Sequence, residues 1–484
     1  MFNRPNMYGR KVIYTDAEVI DESNVVDVLS KAIFLHQGNA NDITYLYNYY
    51  RGLQPVLDRV KDIRPEINNK ILVNRANEIV SFKVGYLLGD PVQYVNRGAR
   101  EEASDPINTL NEYMFGEDKA TKDIELATWF FIGGTGYRMV LADRNTNQDP
   151  DDAPFEIYTL DPRTTFVVYY SGLGNKPVMG VRYVYNREKG GIIYSVYTQN
   201  RYMEIIDNEI VKSEPHYYND IPIIEYPANS ARLGAFEIVL TLLDGINDAA
   251  SDRLDGFDQF IQSLLVFKGV DITSEEFANL KEQGGLLVPP DGDVKYLVQE
   301  LNQTQTRALT EDLYDDVLTI CGMPNRNGTQ RSTSDTGSAV IMRDGWWAAE
   351  SRAKASEGIF DISEKQFLKI VLRICNAQRQ MDLKLSDIEI RFTRRNYENI
   401  MEKAQVLTMM LANNQIHPRL AFAHSGMFAD PEVAYQESMR YAEEKRREME
   451  DELRKVREDQ LEDDTNVDVR NNRQNTGISD EADY

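Results

Sequence analysis

The chain has 484 residues, of which 42% are hydrophobic and 27% are charged. This balance is that of a globular protein, so it excludes a chain that is disordered throughout, and the length corresponds to about three domains. The net charge of −24 excludes a protein that grips nucleic acid over its whole surface. Because no apolar run reaches the roughly 18 residues of a membrane span and residues 1–11 are polar, we expect no membrane segment and no secretory signal.

The residues that usually hold metals or form disulfides are few and scattered. The two cysteines fit a reducing compartment, and neither phosphate-loop, nucleophile-elbow nor His-Glu-x-x-His motifs occur. We therefore expect no metal and no cofactor, and we interpret 133–136 as a turn rather than a dinucleotide fingerprint. Cys321 is expected to be a small buried hydrophobic residue. The histidines are expected to be structural or exposed rather than catalytic: His36, His216, His417 and His424.

Periodicity predicts helices in the first third of the chain and strands after it. The predicted helices cover 27–50, 69–88, 105–112 and 119–131. From residue 137 to about 226, short runs rich in Tyr, Val and Ile alternate with turn residues. This texture predicts an antiparallel meander.

Residues 236–264 give the clearest helical pattern. At about 100° per residue, the carboxylates of Asp244, Asp248, Asp252, Asp255 and Asp258 fall within an arc of about 120°, and apolar residues occupy the opposite side. The base that is nearby in sequence, Arg253, lies outside this arc. Two interpretations stay open, a solvated acidic face and a face that repels an anion.

The next segments predict a helical hairpin followed by a polar loop. Residues 265–302 contain short elements and turn signals, and 303–322 form a second acidic amphipathic helix. The stretch after Met323 and Pro324 is polar and contains Arg326 and Arg331. It is interpreted either as a surface loop or as a mobile loop that contacts phosphates.

The last part of the chain is predicted to be mostly helical. A long helix over 337–381 has expected bend points at Gly345 and Gly358, and one strand covers 388–393. Further helices are predicted at 398–411, 419–424 and 431–461, and the polar residues 462–484 are predicted to be disordered.

Taken together, several motifs resemble the portal proteins of siphophage-type tailed bacteriophages, the head-to-tail connectors. They follow the order of that family over about residues 40–410. The resembling motifs lie at 49–52, 68–75, 85–92, 134–137, 161–163, Asp244 with Gly245 and Asp248, 322–324 and 337–339.

The resemblance implies an α+β, mainly helical fold with wing, stem, clip and crown regions. The stem helices are long, and the antiparallel meander belongs to the wing. The implied regions are the wing 1–235, the stem helices 236–264 and 303–322, the clip 265–302, the tunnel loop 323–338, the kinked helix and wing strand 339–395, the crown helices 396–461 and the disordered acidic tail 462–484.

The resemblance also implies a structural protein without catalytic residues. It implies a homo-oligomeric ring, typically a dodecamer, at the unique capsid vertex of the virion, assembled in the host cytoplasm. This ring would conduct double-stranded DNA during packaging and ejection. Its partners would be the terminase large subunit, then a head-completion or adaptor protein, and the major capsid and scaffolding proteins, with no membrane.

The site residues follow from the same resemblance. That the acidic face lines the channel is a hypothesis. The predicted DNA-contacting tunnel-loop residues are Arg326, Asn327, Thr329, Gln330, Arg331 and Ser332, the channel-lining residues are Asp244, Asp248, Asp252 and Asp255, and the kinked-helix residues are Gly345, Trp346, Trp347 and Gly358.

Two other classes of protein stay open. An acidic hydrolase or transferase would use paired carboxylates as acid and base, and would contain a carboxyl group of raised pKa in a pocket. A head-assembly protein would oligomerise without conducting DNA. Oligomeric state separates the portal from the enzyme, because the enzyme would be active as a monomer or dimer.

Overall fold

The computed structural model describes residues 8–97, 101–143, 152–187, 190–261, 264–268, 293–297, 303–325, 345–393, 400–428 and 431–474. The chain falls into two compact units, Met1–Arg395 and Asn396–Tyr484. The α-helices of the described residues are α1 Val25–Tyr50, α2 Arg75–Leu88, α3 Ser104–Gly116, α4 Lys119–Gly133, α5 Leu240–Ile261, α6 Gln303–Cys321, α7 Trp346–Arg379, α8 Ile400–Leu411, α9 Pro418–Ser425 and α10 Pro431–Gln474.

The strands of the described residues all belong to the first unit. Short 3₁₀ helices at Pro55–Asp58, Glu101–Ala103, Glu237–Val239 and Leu385–Asp387 join several elements. The strands are β1 Ile13–Thr15, β2 Gln93–Asn96, β3 Thr135–Ala142, β4 Phe155–Leu160, β5 Thr165–Tyr170, β6 Pro177–Tyr185, β7 Ile192–Tyr197, β8 Arg201–Ile206, β9 Glu209–Pro215, β10 Ile223–Pro227, β11 Leu264–Lys268, β12 Asp293–Leu297 and β13 Ile388–Arg391.

The predicted meander exists, but it is divided between two sheets. Strands β5 to β9 pair antiparallel in chain order, and β1 joins the edge of β5 in parallel. Strand β10 returns to pair with β3, which also pairs with β4, so these three form a separate sheet. The larger sheet buries Val168, Val181 and Val196 against α1, whereas the helices α2, α4 and α7 share the main core.

The turn predicted at 133–136 is confirmed. Gly134 adopts φ 82° and donates its N–H to the Phe130 carbonyl oxygen at 2.8 Å, which ends α4. A Cβ atom at Gly134 would lie 1.9 Å from the carbonyl oxygen of Arg232, so this position requires glycine both for its dihedral and for the close approach of the backbone.

The predicted start of the second helix is wrong. This helix was predicted from residue 69, but α2 begins at Arg75. The side chain of Asn74 caps it by accepting a hydrogen bond from the Asn77 N–H at 3.3 Å, and residues 67–74 are neither helix nor strand. The capping side chain ends the helix at a point that apolar periodicity alone does not reveal.

Two predictions about the later helices are also wrong. Gly345 has φ 83° and precedes the first residue of α7, so it is not a bend within that helix. Gly358 is an exposed residue within α7, and the bend expected there stays a prediction. Helix α10 continues to Gln474, so 462–474 are helical rather than disordered. Residues 475–484, the remainder of the predicted tail, lie outside the described residues.

Four charged side chains form a buried cluster that joins α4, β3 and α7. Arg138 and Glu364 are 0% exposed. Lys119 donates hydrogen bonds to Asp123 at 2.7 Å and contacts Glu364 at 2.8 Å. Arg138 pairs with Asp123 and with Glu364, the latter at 3.4 Å. Two cations balance two anions, which allows the cluster to be buried without net charge.

Two tyrosines complete the hydrogen bonding of Glu364. The hydroxyl groups of Tyr94 on β2 and Tyr226 on β10 donate to its carboxylate at 2.5 and 2.7 Å. Burial raises the pKa of Glu364, but Lys119 and Arg138 outweigh burial and lower that pKa to about 2. Glu364 is therefore ionised at neutral pH and connects α7 to three strands of the first unit.

Replacing Glu364 with Gln should lower the free energy of unfolding at pH 7 by about 3–5 kcal/mol, because two buried cations would then share one carboxylate. Asp361→Asn is the matched control, since Asp361 lies one turn earlier on α7 in an exposed pair with Lys365. This change should cost at most about 1 kcal/mol. Urea denaturation of both variants measures the difference.

The pH dependence of the same difference follows from the lowered pKa of Glu364. A carboxyl group whose folded pKa lies below its unfolded value stabilises the protein fully above the unfolded pKa of about 4.3. We expect the gap between wild type and Glu364→Gln to be constant above about pH 5 and to shrink as the pH falls towards 2. Equal losses in the two variants would contradict this account.

Candidate functional site

The acidic helix α5 is covered along one side by an irregular segment, residues 67–73. Three backbone amides of this segment, at alternate positions, donate to side chains of α5. The Asn69 N–H donates to Asp255 Oδ1 at 2.7 Å. The N–H of residue 71 donates to Ser251 Oγ at 2.9 Å, and that of residue 73 donates to Asn247 Oδ1 at 2.8 Å.

The spacing of this ladder follows from the geometry of helix and extended chain. Asn247, Ser251 and Asp255 are four residues apart, a step of about 6.0 Å along a helix that rises 1.5 Å per residue. Alternate amides of an extended chain point to the same side and are about 6.6 Å apart. The two repeats differ by well under 1 Å per step, so three successive hydrogen bonds can form before they fall out of register.

Two cations from the residues just before this segment neutralise the end of α5. The ammonium group of Lys61 pairs with Asp255, and the Arg59 guanidinium pairs with Asp252 and lies 3.3 Å from Asp255. Asn69 also donates its side-chain amide to Asp255 at 2.9 Å and to Asp258 at 2.7 Å. Burial raises the pKa of Asp255, but the hydrogen bonds from Lys61 and Asn69 outweigh it and hold that pKa below its ordinary value.

The four predicted channel-lining carboxylates therefore have different environments. Asp248 is exposed, and the side chain of Asp252 is 62% exposed. Asp244 is partly buried and accepts a hydrogen bond from the Tyr49 hydroxyl at 2.8 Å. Asp255 is 1% exposed. The prediction that Asp255 belongs to an exposed acidic face without nearby bases is wrong, because residues almost 200 positions earlier supply the bases.

The opposite side of α5 is apolar, as its periodicity predicts. Leu243 and Ile246 are buried, whereas Leu254 and Phe257 are 37% and 47% exposed. Helix α5 contacts α6, and between them in sequence lies the antiparallel pair β11 and β12. The exposed apolar residues are therefore confined to the half of α5 that leads to this strand pair.

The predicted DNA-contacting residues Arg326, Asn327, Thr329, Gln330, Arg331 and Ser332 lie outside the described residues. Of the predicted kinked-helix residues, Trp346 lies against Phe82 and Tyr86, with ring centroids 6.2 and 6.0 Å apart. Trp347 is 73% exposed. The structure thus separates two adjacent tryptophans into a packed one and a solvent-facing one.

A cleft of about 430 Å³ lies between α2, α6 and the chain at Met323. Within it, Arg75 stacks on the Tyr314 ring at 3.8 Å and pairs with Glu78 at 2.7 Å. The Tyr314 hydroxyl donates to the same carboxylate at 2.8 Å. Glu78 is the carboxylate that lines this cleft, and its oxygen atoms are engaged.

The buried histidine and cysteine have structural surroundings. His36 stacks on Phe166 with centroids 4.5 Å apart, and burial lowers its pKa to about 4. Burial likewise raises the pKa of the Cys321 thiol to about 11. The described part of the chain contains no cluster of three or more potential metal-ligating side chains, and none of its helices is long and apolar enough to cross a membrane.

Two residues of the ladder, Asn247 and Ser251, were not predicted from the sequence as site residues. Asn247 and Ser251 are 0% exposed and form, with Asp255, a polar row at intervals of four on α5. This row was visible in the sequence as a polar stripe beside the carboxylates. Its partners, Arg59, Lys61 and Asn69, are distant in sequence and gave no comparable signal.

A six-stranded sheet and a three-stranded sheet define the fold, together with a long helix that buried charges tie to the three-stranded sheet. An acidic helix that carries a docked segment defines the site. Residues 11–451 match the model of a family described as "Phage portal protein, SPP1 Gp6-like". The chain therefore belongs to the SPP1 Gp6-like phage portal family, which confirms the resemblance to portal proteins. No curated protein matches the chain.

The solved structures to which the chain is similar include chains from gene transfer agent particles. A chain from "Virion of native gene transfer agent (GTA) particle" has 12% sequence identity and a TM-score of 0.46, with 80% of this chain and 94% of that chain covered. A chain from "Neck of empty GTA particle computed with C6 symmetry" has 13% identity and a TM-score of 0.44, with coverages of 73% and 90%.

Replacing Asp255 with Asn should lower the free energy of unfolding by about 2–4 kcal/mol, because the partly buried side chains of Lys61 and Arg59 lose their common, buried anion. Asp248→Asn on the exposed side of α5 is the control and should change it by less than about 0.5 kcal/mol. Chemical denaturation checks both values, and hydrogen exchange at the amides of residues 69, 71 and 73 should accelerate in Asp255→Asn alone. Unchanged exchange at these amides would contradict the ladder.

Proposed function

We propose that the chain forms a ring at one vertex of a phage-like capsid and conducts double-stranded DNA during packaging and ejection. Membership of the portal family over residues 11–451 carries this proposal. According to this proposal, the protein is a virion component that assembles in the host cytoplasm with scaffolding and major capsid proteins. The ring, of twelve subunits, docks the terminase large subunit first and a head-completion or adaptor protein afterwards.

The exposed carboxylates of the helix pair support conduction of DNA rather than binding. Asp248 and Asp252 are exposed on α5, where Arg59 partly balances the charge of Asp252. Four more carboxylates are exposed on α6, of which the first pairs with Arg307: Glu311, Asp312, Asp315 and Asp316. Repeated around a ring axis, these groups repel phosphates at close range, since the Debye length is about 8 Å at physiological salt. We therefore propose Asp248 and Asp252 as channel-lining residues and leave out the buried Asp255.

Transient contacts with DNA would come from positively charged and polar residues. Arg326 and Arg331, with the polar residues Asn327, Thr329, Gln330 and Ser332, would contact phosphates, which give affinity without sequence information. Their side chains suit this role because the chain as a whole is acidic. A chain of net charge −24 then touches DNA through a few residues only.

The environment of the carboxylates favours a structural protein over the hydrolase. Asp42 has a pKa raised by burial, but it lies 3.7 Å from Arg10 in a cluster that includes Glu237. Glu225 and Glu364, both buried, have pKa values below the ordinary range, because Arg232 holds the first and Lys119 and Arg138 hold the second against the effect of burial. Carboxylates held in ion pairs serve stability rather than proton transfer.

The ring is tested by the mass of the purified particle and by electron microscopy of the same fraction. We expect a mass near twelve times 55.6 kDa and an axial opening wide enough for duplex DNA. A ring without such an opening would favour the head-assembly protein. A monomer or dimer at every concentration, also with scaffolding protein present, would reject both and favour the enzyme.

Reversing one exposed charge per subunit should convert the channel from one that repels DNA to one that binds it. We expect the Asp248→Lys ring to bind a short DNA duplex about tenfold more tightly at 50 mM than at 200 mM salt. This salt dependence of the binding constant corresponds to about two phosphate contacts. The control Glu209→Lys makes the same charge change at an exposed position of β9. Fluorescence anisotropy of a labelled duplex measures both, and equal binding by the two variants would argue against a channel-lining Asp248.

A further inference from the structure

Helix α10 is exposed along most of the part whose side chains the structure describes. It begins against α9, where Tyr435 contacts Phe422 with ring centroids 5.9 Å apart. From residue 436 to residue 455, every residue is exposed. Most helical stability in proteins comes from packing of an apolar face. A helix that leaves residues 436–455 without a buried face points to a partner.

The exposed part of α10 carries a heptad repeat. Its apolar residues recur at alternating intervals of four and three, which is the a and d pattern of a coiled coil. Met439, Met449 and Leu453 are 42%, 62% and 59% exposed. In sequence the d positions are Tyr435, Ala442, Met449 and Val456, and the a positions are Met439, Arg446 and Leu453.

The charges beside this stripe suit a second, parallel copy of the same helix. In a parallel in-register pair, a g residue of one helix faces the e residue five positions later on the other. Lys445 occupies a g position and Glu450 the following e position, so the facing charges are opposite. The next such pair in sequence, Glu452 and Arg457, is again of opposite sign.

The single polar residue of the stripe restricts the mode of pairing. Arg446 occupies an a position, and its guanidinium reaches Glu450 of its own helix at 3.9 Å. A lone polar residue at an a position fixes register and favours a defined oligomer at some cost in stability. The same partner, a parallel in-register copy of α10, is indicated by the apolar stripe, by the charges beside it and by the polar residue at the a position.

We propose that α10 pairs with α10 of a second copy of this chain as a parallel, two-stranded coiled coil over residues 435–456. The inference deepens the ring assembly proposed above and rests on it for the parallel direction, because rotation about a ring axis relates parallel copies. The experiment below distinguishes this pairing from two alternatives, a different protein bound to the stripe and a second copy in the antiparallel direction.

The test is disulfide cross-linking in the full-length protein. Leu453→Cys places a thiol at an a position, which in a parallel in-register pair faces the same residue of the second copy within disulfide reach. Asp451→Cys is the matched control, since it is equally exposed but at an f position, opposite the stripe. The natural cysteines Cys321 and Cys375 are buried. Under mild oxidation we expect covalent dimer from Leu453→Cys and at least about fivefold less from Asp451→Cys.

Charge reversal tests the direction of pairing. In the Leu453→Cys background, Lys445→Glu or Glu450→Lys alone should reduce the covalent dimer about two- to fivefold, since like charges would then face each other. The double reversal should restore it. Equal cross-linking at 451 and 453, no dimer at 453, or a double reversal as weak as the single ones would overturn the proposal.

Light scattering on the same samples separates this proposal from that of the ring. Rings of full mass in which Leu453→Cys does not cross-link would reject the coiled coil and leave the ring intact. Covalent dimers without rings would reject the ring and support pairing of α10. A fall in cross-linking together with an unchanged particle mass in the single charge reversals would support both.

Discussion

The first unit depends on a match between two spacings. Four residues along the helix α5 span about the same distance as two residues along the segment 67–73. Asn247, Ser251 and Asp255 bind the amides of residues 73, 71 and 69 in turn. This ladder fixes where 67–73 runs and therefore where α2 can begin. It also explains why a motif that resembles the portal family, 68–75, is polar at its ends, since Asn69 binds α5 and Asn74 caps α2.

The chain uses its many carboxylates for two opposite purposes, and burial decides which. Glu364 and Asp255 are buried among cations, and their pKa values are lowered, so their charges are neutralised locally and bind elements together. Asp248, on the same helix as Asp255, is exposed, and its carboxylate lies at the surface. About two helix turns thus separate an anion that holds the fold from one available to repel a polyanion.

Local sequence signals predicted the elements, whereas contacts distant in sequence decided the site. Apolar periodicity located α1, α5 and α6 to within a few residues, and the glycines at 133 and 134 marked the turn before β3. The division of the meander into two sheets depends on β10 returning to β3, which alternation cannot reveal. The same holds for Asp255, whose acidic neighbours indicated an exposed face while Arg59 and Lys61 were invisible to a helical projection.

The proposed pairing of α10 places a symmetry condition on the ring. A ring contact joins two different surfaces of neighbouring copies and repeats around the axis. A two-stranded coiled coil instead uses the same stripe on both helices, so each helix can pair with only one other. Twelve copies would therefore form six pairs along α10. Because α10 lies in the second unit, Asn396–Tyr484, this symmetry condition applies to the second unit, and the first unit can form the ring contact that repeats around the axis.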